Sequence, residues 1–165
     1  MSENSRAQER TPNTKPDNAK DNGKPQAAAY EGNSPDTTTS FDWVTARSSC
    51  SLPKVFNALA EQVEGDVAAR NALRPANSPY EFSLTEDNGK LTVHLNTEKL
   101  RRSVSFKLSL PEHAIVVEDE TGNRMFDIAS CLDDSGQCTL LVNGEERDDW
   151  QVRRMALEEL MFSGL

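Results

Sequence analysis

Long apolar runs are absent from this sequence, and its first 40 residues contain no Leu, Ile, Val, Phe or Trp at all. The only large apolar groups there are Met1 and Tyr30, set among Asn, Lys, Pro, Ser, Thr and Asp ("TPNTKPDNAKDNGKPQ", "NSPDTTTS"). Such a segment cannot bury enough apolar surface to offset the roughly 1–2 kcal/mol of backbone entropy that each ordered residue costs. Residues 1–40 are therefore expected to form a disordered arm, and residues 41–165 a single domain long enough to build a core without staples. The arm lacks the apolar run of a secretory peptide, and no later stretch approaches the ~20 apolar residues of a membrane span. These absences point to a soluble, cytoplasmic protein.

Groups that carry chemistry are equally sparse. There is no phosphate-binding glycine loop and no nucleophile-elbow pattern. Three cysteines without a CxxC and only two histidines leave zinc without a ligand set. Neither "DNGK" nor "DDSG" supplies the ligand ladder and distal Glu of a calcium loop. The acidic clusters "EDE" (118–120) and "EERDD" (145–149) read as solvated turns, with weak cation binding as the alternative. No catalytic, metal or cofactor site is expected. The one imaginable nucleophile pair is Cys50, just ahead of a helix, with His94 on a strand; the plainer readings are a buried thiol and a hydrogen-bonded imidazole.

Positive charge is also short. The net charge is −9, of which the arm accounts for six acids against five bases, leaving about −8 on the domain. That field disfavours a nucleic-acid backbone and an anionic membrane. The best basic patch, "EKLRRSVSFK" with Lys99, Arg101, Arg102 and Lys107, reads as a solvated loop and the outer face of a strand.

What the sequence does hold is periodicity. In "SCSLPKVFNALAEQVEGDVAARNAL", Ser51 is placed to cap a helix and Pro53 suits its first turn. Leu52, Val55, Phe56, Leu59, Val63 and Val67 then form one apolar face, and "RPANSP" ends the element. Asn88-Gly89 marks a two-residue hairpin turn pairing Leu84 with Val93 and Phe82 with Leu95. "SVSFKLSL" alternates as a strand with one wet face, and "AIVVED" and "RMFDIASCL" are two more strands around "ETGN". That register stays open between a three-residue loop, which pairs Val116 with Phe126 and Glu118 with Arg124, and a two-residue loop at Thr121-Gly122. In "CLDDSGQC" a left-handed Gly136 pairs Leu132 with Cys138, Ser130 with Leu140 and Ile128 with Val142. Cys131 then points to the opposite face, so Cys131 and Cys138 can neither bridge nor share a metal. The stretch is a turn.

The last segment, "DDWQVRRMALEELMFSGL", opens on a capping-box-like Asp148/Gln151 pair and is apolar round most of its wheel. The fold class is α+β: an N-terminal helix, about six mostly antiparallel strands in meander-like order, and a C-terminal helix packed on the sheet. This order resembles that of acidic secretion chaperones, which dimerise and hold partner segments, although their inner helix would have to come from "TEKLRR". It also resembles helix-grip carriers of small apolar ligands, whose pocket here would involve Phe106, Phe126 and Leu157. The leading expectation is a non-catalytic interaction module, binding a protein partner or itself through Trp150, Met155, Leu160, Met161 and Phe162.

Overall fold

The computed structural model describes residues 40–98 and 101–163. The arm expected over residues 1–40 lies outside the described residues apart from Ser40, as does Lys99 of the basic patch. A short helix not anticipated from periodicity, α1 (Trp43–Ser49), comes first; Asp42 caps it by accepting from the Thr45 amide at 3.0 Å. The long helix α2 (Leu52–Ala72) follows with Ser51 at its N-cap and Pro53 in its first turn. Seven strands come next: β1 (Tyr80–Asp87), β2 (Lys90–Thr97), β3 (Arg101–Ser109), β4 (Ala114–Glu118), β5 (Arg124–Leu132), β6 (Cys138–Val142) and β7 (Glu145–Arg147). The chain closes with α3 (Asp149–Phe162), which starts in the capping box of Asp148 and Gln151.

The strands lie in the sheet in chain order, each antiparallel to the next, so the α+β meander expected from the sequence is the observed fold. The seventh strand is an addition; its three residues are Glu145, Glu146 and Arg147. Only three residues separate β2 from β3, which leaves "TEKLRR" no room for the inner helix of a secretion chaperone. Two hairpin registers follow from turn chemistry: Leu84 faces Val93 and Phe82 faces Leu95 across Asn88-Gly89, and Leu132 faces Cys138 across Gly136. The register left open is resolved by using both alternatives. Glu118 pairs with Arg124 beside the loop, a bulge intervenes, and Val117 then pairs with Phe126.

One core runs between the inner face of the sheet and the two long helices. α2 contributes Phe56, Leu59, Val63 and Val67, and α3 contributes Val152, Ala156, Leu157, Leu160 and Met161. The strands present Phe106, Ile115, Ile128 and their in-register neighbours against them. On the outer face of β1 to β3 the groups are polar: Thr92 bonds Ser105 at 3.1 Å, and Thr85 bonds His94 at 3.0 Å.

The β1 edge is occupied by a side chain. Asn71 Nδ2 donates to the Phe82 carbonyl at 2.8 Å, and its Oδ1 accepts from the Phe82 amide at 3.1 Å. This amide imitates the strand that would otherwise pair there, which protects the edge from annealing to another chain. An Asn71→Ala change leaves both backbone groups without their partner and should cost about 1–3 kcal/mol in urea unfolding.

The loops at residues 119–123 ("DETGN") and 133–137 ("DDSGQ") are two copies of one device. Asp119 accepts from the Thr121 hydroxyl and from the Thr121 and Asn123 amides; Asp133 accepts in the same way from Ser135 and Gln137. These hydrogen bonds, the hydroxyl foremost, hold both carboxyls below the ordinary value of 3.8. A depressed carboxyl pKa adds stability that is present above 3.8 and is lost as pH falls through the folded-state value. An Asp119→Asn, Asp133→Asn double variant should therefore be less stable at neutral pH and lose less stability below about pH 4. Denaturant midpoints measured across that range read the difference.

Candidate functional site

The wheel of α3 does not reveal which of its sides meet the rest of the protein. Leu160 and Met161, expected on the interaction surface, are 2% and 4% exposed and belong to the core. Trp150, Met155 and Phe162 are 53%, 45% and 65% exposed. The difference comes from α2. Alongside the start of α3 it offers polar groups: Gln62 donates to Asp149 at 3.2 Å, and Asp66 pairs with Arg153 at 2.6 Å. Trp150 is left at the rim.

Between α2 and α3 lies an open groove of about 380 Å³, floored by Ala69, Leu157 and Met161 and rimmed by Leu73, Trp150 and Phe162. Arg70 sets its far end. Its Nε donates to the Met161 carbonyl at 2.9 Å, near the negative end of α3, and its other arm reaches the Tyr80 hydroxyl at 3.1 Å. The same guanidinium lies 5.1 Å from the centre of the Phe162 ring and 5.7 Å from that of Phe82. Phe162 is thus exposed yet held over a cation. The charged groups here are paired: Arg153 with Asp66, and Arg154 with Glu158 through bonds of 2.8 and 3.1 Å. Arg70 is the remaining cation, so the groove combines apolar side chains with two ion pairs and one guanidinium held by neutral acceptors.

The basic patch is dispersed. Arg102 turns to α3 and pairs with Glu159 at 2.8 Å, whereas Arg101 and Lys107 are exposed. Among the described residues no group of three or more His, Cys, Asp or Glu side chains is arranged to hold a metal ion. No described helix is long and apolar enough to cross a membrane.

The cysteines combine in a way that the sequence reading missed. Cys131 lies on the outer face beside Thr139 and Cys138 on the inner face opposite Leu132, and these two do not bridge. Cys138 instead forms a disulfide with Cys50 across a sequence separation of 88, with Cα atoms 5.2 Å apart. Cys50 is fully buried, and Ser130 and Arg47 both donate to its carbonyl, at 2.9 and 2.8 Å. The domain therefore carries a staple after all. With its thiol in this bridge Cys50 is no nucleophile, and His94 is on the other side of the sheet. One signal was present: Cys138 is placed on the inner face, and Cys50 stands just ahead of the helix that covers that face.

The chain matches no protein-family model, no curated protein and no solved structure.

Peptide mapping without reductant should recover Cys50 linked to Cys138 and Cys131 alkylated as a free thiol. Removing a bridge that closes so long a loop, by Cys138→Ser, should cost about 2–4 kcal/mol in thermal or denaturant unfolding. Cys131→Ser should change stability little.

Proposed function

We propose that this protein is a non-catalytic interaction module that self-associates through the outward side of α3. The observation that carries the reading is the exposure of Trp150, Met155 and Phe162 on one short helix whose other side is fully committed to the core. Burying a large apolar side chain is worth roughly 1.5–3 kcal/mol, and a partner surface would recover the part that folding leaves unrealised. Large apolar side chains left exposed together on one helix are a mark of association sites.

The ligand-carrier reading is less well supported. Phe106, Phe126 and Leu157, which were to line its pocket, are 0%, 7% and 2% exposed within one continuous core. The groove beside α3 is open to solvent and shallow, a shape that suits a side-chain ridge better than an enclosed small molecule. The Cys50–Cys138 bridge also bears on where the module works: such bonds persist in oxidising compartments, which favours one of these over the reducing cytoplasm suggested by composition.

Sedimentation of the full chain should find a species larger than the monomer. Met155→Glu combined with Phe162→Glu should reduce it to monomer while the melting temperature stays within a few degrees, since both side chains are exposed. A wild type that sediments as a monomer at all accessible concentrations, with no bound partner, would remove this reading.

A further inference from the structure

We propose that the surface of α3 docks on a second copy of this chain, antiparallel, about a two-fold axis passing between Arg154 and Glu158. The inference rests on the self-association reading above and specifies its geometry.

Trp150, Arg154, Glu158 and Phe162 are spaced four residues apart and so form a single ridge along the helix. Both ends are exposed aromatics, about 18 Å apart at 1.5 Å per residue, and the two middle side chains are 61% and 54% exposed. Read in either direction, the ridge runs aromatic, charged, charged, aromatic, and reversal exchanges the two signs. A two-fold axis at its centre therefore sets Trp150 against Phe162 of the second copy and Arg154 against Glu158 of the second copy, twice over. That is the requirement for an isologous contact: one patch complementary to itself. Rows of residues four apart become parallel when two helices cross at about 50°, so at that angle the two ridges can run along each other.

The flanking rows agree. Met155 sits one position from the ridge centre and falls beside its own copy at the axis, where the flexible thioether fills the space between helices. On the groove side, Leu73, 76% exposed, lines the same groove as Phe162 and adds to the apolar surface awaiting the Trp150 ring of the second copy. A parallel arrangement instead opposes Arg154 to Arg154 and Glu158 to Glu158, which like-charge repulsion disfavours. In the monomer Arg154 and Glu158 satisfy each other. In the dimer the same four charges alternate in sign around the axis, so no charge is buried alone.

The test is a charge exchange on the full chain, read by sedimentation and native mass spectrometry. Arg154→Glu alone places Glu against Glu, and Glu158→Arg alone places Arg against Arg; each should raise the dimer dissociation constant about tenfold or more. An equimolar mixture of the two variants should recover dimers of mixed mass, because every cross-axis pair is then Glu with Arg. Loss of the pairing within one helix occurs in both variants and mixing cannot repair it, so recovery reports the contact between chains. If both variants dimerise as the wild type does, or if mixing restores nothing, the antiparallel arrangement is overturned. Should Met155→Glu, Phe162→Glu still abolish association in that case, self-association through α3 stands and only its geometry fails. A monomeric wild type overturns both.

Discussion

Drying one face of the sheet is the requirement on which the rest of this structure depends. Strands β1 to β6 set apolar groups on one face of the sheet, and that set gains nothing until something covers it. No single helix spans that width. α2 lies across the sheet with Phe56, Leu59, Val63 and Val67 turned inward, and α3 completes the cover with Val152, Ala156, Leu157, Leu160 and Met161. Each helix therefore depends on the sheet and on the other. Arg153 with Asp66 and Arg70 with the Met161 carbonyl fix the seam between them. The outward side of α3, with Trp150, Met155 and Phe162, is the part of that helix which the sheet and α2 leave uncovered.

Much of the architecture was legible because local chemistry and side-chain alternation agreed. Asn88-Gly89 and Gly136 each demand a particular turn, each turn imposes a register, and each register aligns apolar groups on one face. Where a second turn was nearly as good as the first, between β4 and β5, the chain uses one at the loop and the other beyond a bulge. Pattern alone has no means of announcing an extra residue of that kind. The capping box at Asp148 was equally plain.

The misses share a cause: they belong to the tertiary structure. α1 buries none of its seven residues, so it has no apolar face to detect. β7 is three residues, all charged, and is a strand only because β6 is beside it. Leu160 and Met161 look no more buried on a wheel than Trp150 does; the position of α2 separates them. The Cys50–Cys138 bridge needs the start of α2 brought onto the inner face of β6, and a comparison confined to one hairpin could address only Cys131 and Cys138.

The meander has a kinetic side as well. Every strand pairs with its neighbour in the chain, so each step of sheet formation closes a short loop and loses little entropy before its contacts form. Growth by successive hairpins needs no search for a distant segment. The long-range closures are those of α2, α3 and the bridge at the two ends of the sheet, and they act on a surface that the hairpins have already made. Synthesis from the N-terminus delivers α2 long before its last strands exist. Its apolar face must wait, during which the glutamates and lysine on its outer side, Glu61, Glu64 and Lys54, are what keep it in water. The bridge joins the residue just ahead of that helix to a strand 88 residues later, so its geometry is met only where the helix start and β6 have come together.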